Sequence, residues 1–232
     1  MPSSAPTVPD VRVVTARLAL AAAIAAAVLL AMSLLHGVSQ GQFEVVRPAA
    51  DMAEQLVRNA IAMRLELFVD FLFLILYGAC FALLPAALAG LADPRGPIAA
   101  RLGSAALLVT AFLDAAENAH LLSALVTAEQ GMPLSQGAIQ WQAIASQVKF
   151  VASYAGLFLV AFALDPADRA ERWLAHTLRW VQAPVGVAIF VVGPPFLRPL
   201  YLMRAVFFVV GLLWLAALLQ RRLRATSGPV PG

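Results

Sequence analysis

Six polar or ionisable residues stand where the surrounding sequence is apolar: Asp70, Asp114, Glu117, Asn118, His120 and Lys149. The stretch Phe112-Leu113-Asp114-Ala115-Ala116-Glu117-Asn118-Ala119-His120 holds four of them. On a helix turning about 100° per residue, Asp114, Glu117 and Asn118 fall within about 100° of one another. Thr110 extends that face by one turn, and His120 lies about 60° beyond Glu117. A second stripe is formed by Gln142, Ser146, Lys149 and Ser153, whose spacing is that of one helix face. Asp70 shares a face with Glu66 before it and Tyr77 after it. Arg204 is a further basic residue near the start of an apolar run.

The chemistry that these residue types allow is proton exchange and polar binding. An ionisable group inside a membrane span costs roughly 2.5–3.5 kcal/mol on insertion scales. Lys149 is therefore expected to pair with one or more of Asp70, Asp114 and Glu117. Three acids beside one lysine cannot all be ionised cheaply, so the cluster is expected to hold a proton and to be able to exchange it. Lys149 is the only lysine beside fifteen arginines, and lysine alone of the two loses its proton when buried. The competing reading is helix packing. Polar contacts between membrane helices average only about 0.6 kcal/mol, a small return for four buried ionisable groups.

The elements that must carry these residues are membrane helices. The chain has 232 residues, 62% of them hydrophobic and 12% charged, with a mean hydropathy of +0.84. A soluble domain is typically about 45–50% apolar and about 25% charged. An ordinary soluble enzyme, a disordered chain and a disulfide scaffold are thereby excluded, the last because Cys80 is the only cysteine. The fold expected is all-α, a polytopic bundle forming a single membrane domain. Six spans are expected, at about 16–35, 65–89, 103–127, 143–164, 176–193 and 201–220. The first reads as a spanning helix rather than a cleaved signal, because its apolar run exceeds the roughly 7–15 residues of a signal core. Residues 1–14 and 225–232 are expected to be disordered tails.

Between the first two spans, the residues from Pro48 onward predict a short interfacial helix carrying Asp51, Glu54, Leu56 and Arg58. Gly78, Ala82, Ala86 and Gly90 recur every four residues, a spacing that lets a neighbouring helix approach. Turns are expected at 93–97 and 130–133, at Asp165-Pro166 and at Pro194-Pro195, with Ser135 capping the fourth span. Residues 167–175 are charged and expected at the interface.

Ten flanking arginines fall on one side of this topology: Arg12, Arg17, Arg95, Arg101, Arg169, Arg172, Arg179, Arg221, Arg222 and Arg224. Arg47, Arg58, Arg64, Arg198 and Arg204 fall on the other. Basic flanks favour the cytoplasm, so both termini are expected there, in a bacterial inner membrane. Trp141, Trp180 and Tyr201 lie at expected span ends, as interfacial aromatics do. Measured from the outer side, Asp70, Lys149 and His120 lie roughly 8–9 Å deep and Glu117 about 13 Å. A common depth makes one polar cluster geometrically reasonable.

Other chemistry is less well supported. Glu117-x-x-His120 is one half of a carboxylate-bridged metal motif, but no second copy exists. A metal site from Asp70, Glu117, His120 and His36 is conceivable; no metal and no cofactor are expected. Serine-hydrolase elbows and phosphate loops are absent, and the scattered arginines form no nucleic-acid stripe. The function expected is binding or translocation of a small solute or protons at the intramembrane site. The alternatives are an intramembrane enzyme acting on a lipid-like substrate and an accessory membrane subunit. The expected partners are the lipid bilayer, a small-molecule, proton or lipid ligand, and a second copy of the chain in a homo-oligomer.

Overall fold

The computed structural model describes residues 10–89, 96–164, 168–191 and 197–226. They are helical, with no strand among them. Helix α1 is Val11–His36, α2 Ala49–Arg58, α3 Ala60–Ala87, α4 Gly96–Glu129 and α5 Gln136–Ala163. Helices α6, Arg169–Trp180, α7, Gln182–Val191, and α8, Leu197–Thr226, complete the order. One 3-10 turn, Gln40–Phe43, interrupts the segment between α1 and α2.

Five helices are long and apolar enough to cross a membrane: α1, α3, α4, α5 and the Pro199–Arg224 part of α8. Their outward faces carry large apolar side chains such as Phe68, Ile75, Phe112 and Val151. Stripes of that extent are stable only against lipid or another protein. The chain is a multi-pass helical membrane protein. At 34 residues, α4 is about 51 Å long, well beyond a hydrocarbon core of roughly 30 Å, so it reaches past the span expected for it.

Local sequence explains the ends of several elements. Asp10 accepts a hydrogen bond from the Arg12 amide at 2.9 Å and starts α1 there, so residues 11–14 are helical rather than part of a tail. Gly37, at φ +67°, takes the left-handed conformation that ends α1. Ser135 accepts from Ala138 and caps α5 as expected. Gly131, at φ +70°, makes the turn after α4. The expected turn at 93–97 differs in that Gly96 and Pro97 open α4, while 93–95 lie outside the described residues. The expected stops at Asp165-Pro166 and Pro194-Pro195, and Gly90, also lie outside them. The backbone of α8 continues to Thr226, into the segment expected as a tail.

Packing is set by small residues, though not all of those anticipated. Buried Ala16, Ala19, Ala22 and Ala23 let α1 settle against α3 and α8. Arg12 Nε donates to the Ala87 carbonyl at 3.3 Å, joining the start of α1 to the end of α3. On α3, Ala82 and Ala86 are exposed, and Gly78 alone of the described ladder residues faces a helix, α4 at Ala111. The close approach is between α4 and α5. A Cβ on Gly103 would stand 2.8 Å from the Gly156 carbonyl, and one on Gly156 2.8 Å from Leu107.

The segment 176–193, expected as the fifth span, is not one helix. It divides at Val181 into the end of α6 and the whole of α7. Pro184 explains the break, because it has no amide to donate to the carbonyl of Trp180, four residues back. Asp168 caps α6 by accepting from the Glu171 amide at 2.8 Å. The short helix expected from Pro48 onward is α2, which turns Met52 and Leu56 inward and Glu54 and Arg58 outward.

Candidate functional site

The site forms where α3, α4 and α5 meet beneath the turn after α1. Its centre is the Lys149 ammonium on α5, 3% exposed. It donates to Asp114 at 2.9 Å and to Glu117, both on α4, and to Glu44 at 3.4 Å. Three carboxylates from two separate elements thus surround one cation. Ser146, one turn before Lys149, donates to the other oxygen of Glu117. Tyr77 of α3 donates to the second oxygen of Asp114 at 3.1 Å. Ser146, Glu117, Lys149, Asp114 and Tyr77 therefore form one unbroken chain of polar contacts across three helices.

A second arm lies beside the first. Asn118, fully buried, donates to Asp70 of α3 at 2.6 Å and accepts from the Gln40 side chain at 2.8 Å. The Gln40 amide donates to Glu66, also buried, at 2.9 Å. The two arms are covered by one piece of chain, because Gln40 and Glu44 sit at either end of the 3-10 turn.

That turn is held in place on several sides. Gln142 donates to the Phe43 carbonyl at 3.3 Å. Gln136 donates to the Arg47 carbonyl at 2.9 Å and accepts from the Ala49 amide at 3.0 Å. Phe43 is buried with Met52, Leu56 and Leu121. Glu44 is buried and faces a second cation, Arg204 of α8, at 3.6 Å. The Arg204 guanidinium lies over the ring of Phe150 at 3.9 Å and that of Tyr201 at 4.8 Å. The Tyr154 hydroxyl stands beside it without the geometry of a hydrogen bond.

The structure brings Asp70, Asp114, Glu117, Asn118 and Lys149 together with Tyr77, Gln142, Ser146 and Arg204. It does not bring in His120, which is half-exposed and makes none of these contacts. Thr110 bonds the carbonyls of Ala106 and Lys149, and so braces the lysine's backbone rather than its charge. Ser153 is buried further along α5, outside these hydrogen bonds. Gln40 and Glu44 were not among the candidates, and Glu66 served only to mark a face. The usable signal was Phe43-Glu44-Val45-Val46, an acid set among apolar residues in a segment with no helical period.

Charge sets what this arrangement can do. Among the described residues, five carboxyls gather here, Glu44, Glu66, Asp70, Asp114 and Glu117, with two cations, Lys149 and Arg204, which pair with Glu44, Asp114 and Glu117. Buried charge is tolerated when paired and becomes costly in excess. The excess of carboxyl groups over cations is the chemical feature of this site, and each of its two arms is a run of direct hydrogen bonds. Among the described residues, no group of three or more His, Cys, Asp and Glu side chains is placed to hold a metal ion. Compared with known proteins, the chain matches no family model, no curated sequence and no solved structure.

Proposed function

We propose that the chain is a proton-binding, proton-conducting protein of a bacterial inner membrane, and that the Lys149 network is its binding site. The observation that carries this reading is the coordination of one buried ammonium by Asp114, Glu117 and Glu44, with further carboxyls close behind. A small solute would need an open polar chamber. Here the polar groups contact one another directly, which favours the proton as the species bound.

The topology proposed has six crossings, the fifth made in two pieces. Arg222 bonds Glu171 at 3.0 Å, which sets the start of α6 beside the end of α8. Arg204 faces Glu44, so α8 begins at the level of the turn after α1. Helices α6 and α7 lie between those levels, and their combined helix rise of about 33 Å supports a crossing there. Both termini then lie on the arginine-rich, cytoplasmic side, and the turn bearing Glu44 lies at the outer side.

A second reading has one observation in its favour. Asn118 is completely buried with both ends of its amide bonded, as a packing brace would be. Reconstitution in liposomes separates the two. Under an imposed potential, a trapped pH dye should report proton entry with wild-type protein and little with Glu117→Gln, which keeps the shape of the side chain. Equal entry in wild type, the variant and protein-free liposomes leaves only the brace.

A further inference from the structure

The outward face of α6 carries charge that the described residues do not neutralise. The acids at the start of this helix are already engaged: Asp168 faces Arg221 at 3.5 Å and Glu171 bonds Arg222 at 3.0 Å. Arg169 and Arg172, one turn apart and exposed, have no acid within ion-pair distance among the described residues. With Trp173 and His176 they line an open concavity of about 440 Å³. The opposite face of α6 turns Leu174 and Leu178 into an apolar cleft with Leu157 and Val160 of α5 and Leu212 of α8. The cleft encloses about 40 Å³, and Gly211 on α8 leaves open space where a side chain would stand.

We infer that α6 binds an anionic phospholipid by its headgroup, with the phosphate on Arg169 and Arg172 and the acyl chains in the surrounding bilayer. Charge complementarity selects the headgroup, since two basic side chains near a membrane surface attract anionic lipid and leave neutral lipid indifferent. Trp173, 57% exposed, is the amphipathic ring that sits at headgroup level. This inference is independent of the proton reading.

Native mass spectrometry of the full chain, released from nanodiscs of either phosphatidylglycerol or phosphatidylcholine, tests it. Wild type should retain phosphatidylglycerol and shed phosphatidylcholine. The double variant Arg169→Gln/Arg172→Gln should retain roughly 30-fold less, the factor that two basic contacts supply. Gly211→Leu, which alters the cleft on the opposite side of α6 and leaves the arginines, should retain phosphatidylglycerol as wild type does. Equal retention of the two lipids, or an unchanged double variant, overturns the site. A folded Gly211→Leu protein that loses phosphatidylglycerol as the double variant does overturns the assignment to the arginines.

Discussion

At the scale of single residues, the positions around Lys149 differ in what their loss would leave behind. Removing the ammonium strands Asp114, Glu117 and Glu44 as a group of acids without their shared cation. Breaking a buried pair in this way typically costs about 3–5 kcal/mol. Glu117→Gln leaves an amide that still accepts from Ser146 and leaves Lys149 with two carboxylates. Lys149→Met is therefore expected to lower the melting temperature in detergent far more than Glu117→Gln. Equal losses would mean that the ion cluster is not the unit of stability. The residues found from sequence were those on helices, where a fixed angle per residue converts spacing into a shared face. The same arithmetic misplaced His120, because an angular offset of about 60° is enough to carry a side chain from a buried face to a half-exposed one. Gln40 and Glu44 escaped it, since a 3-10 turn between helices has no period long enough to read.

At the scale of elements, the long apolar runs were legible as spans because a membrane imposes a length, and their helical form follows from the need to satisfy backbone groups within each run. Two features were not legible. The small-residue ladder of α3 has the spacing of an interface, yet Ala82 and Ala86 face outward. Spacing defines a face of a helix and says nothing of which face meets a neighbour. The contact went instead to Gly103 and Gly156, where the backbones of α4 and α5 touch. Gly103→Val is thus expected to destabilise by about 1–3 kcal/mol, the usual cost of overpacking a close contact. Gly78→Ala, whose new methyl would meet Ala111 at 3.7 Å, should change stability little. Thermal unfolding of the two variants in the same detergent measures the contrast; similar midpoints would place the tight contact elsewhere. The second feature is the division at Val181. A proline within an apolar run is compatible with a kinked span or with two helices, and only the surrounding packing decides between them.

At the scale of the whole molecule, the arrangement resembles a cup with a stopper. The three helices α3, α4 and α5 supply most of the polar groups, α8 adds Arg204, and the turn after α1 brings Gln40 and Glu44 down onto them. The proposed topology makes a direct demand on the two ends of this cup. Cys80 is buried, so the native chain should react little with a membrane-impermeant maleimide. A cysteine in place of exposed Glu54 should be labelled in intact cells, whereas one in place of exposed Arg172 should be labelled only after the membrane is broken. Labelling of both in intact cells would contradict six crossings with internal termini.

The central claim is that carboxyl groups outnumber cations in the membrane interior and that protons make up the difference. Infrared titration of the protein in nanodiscs tests this most directly, because a protonated carboxyl has a carbonyl stretch distinct from that of a carboxylate. A protonated-carboxyl band is expected at neutral pH, lost on raising the pH and altered by Glu117→Gln. A wild-type protein without that band at neutral pH, every acid ionised, would contradict it.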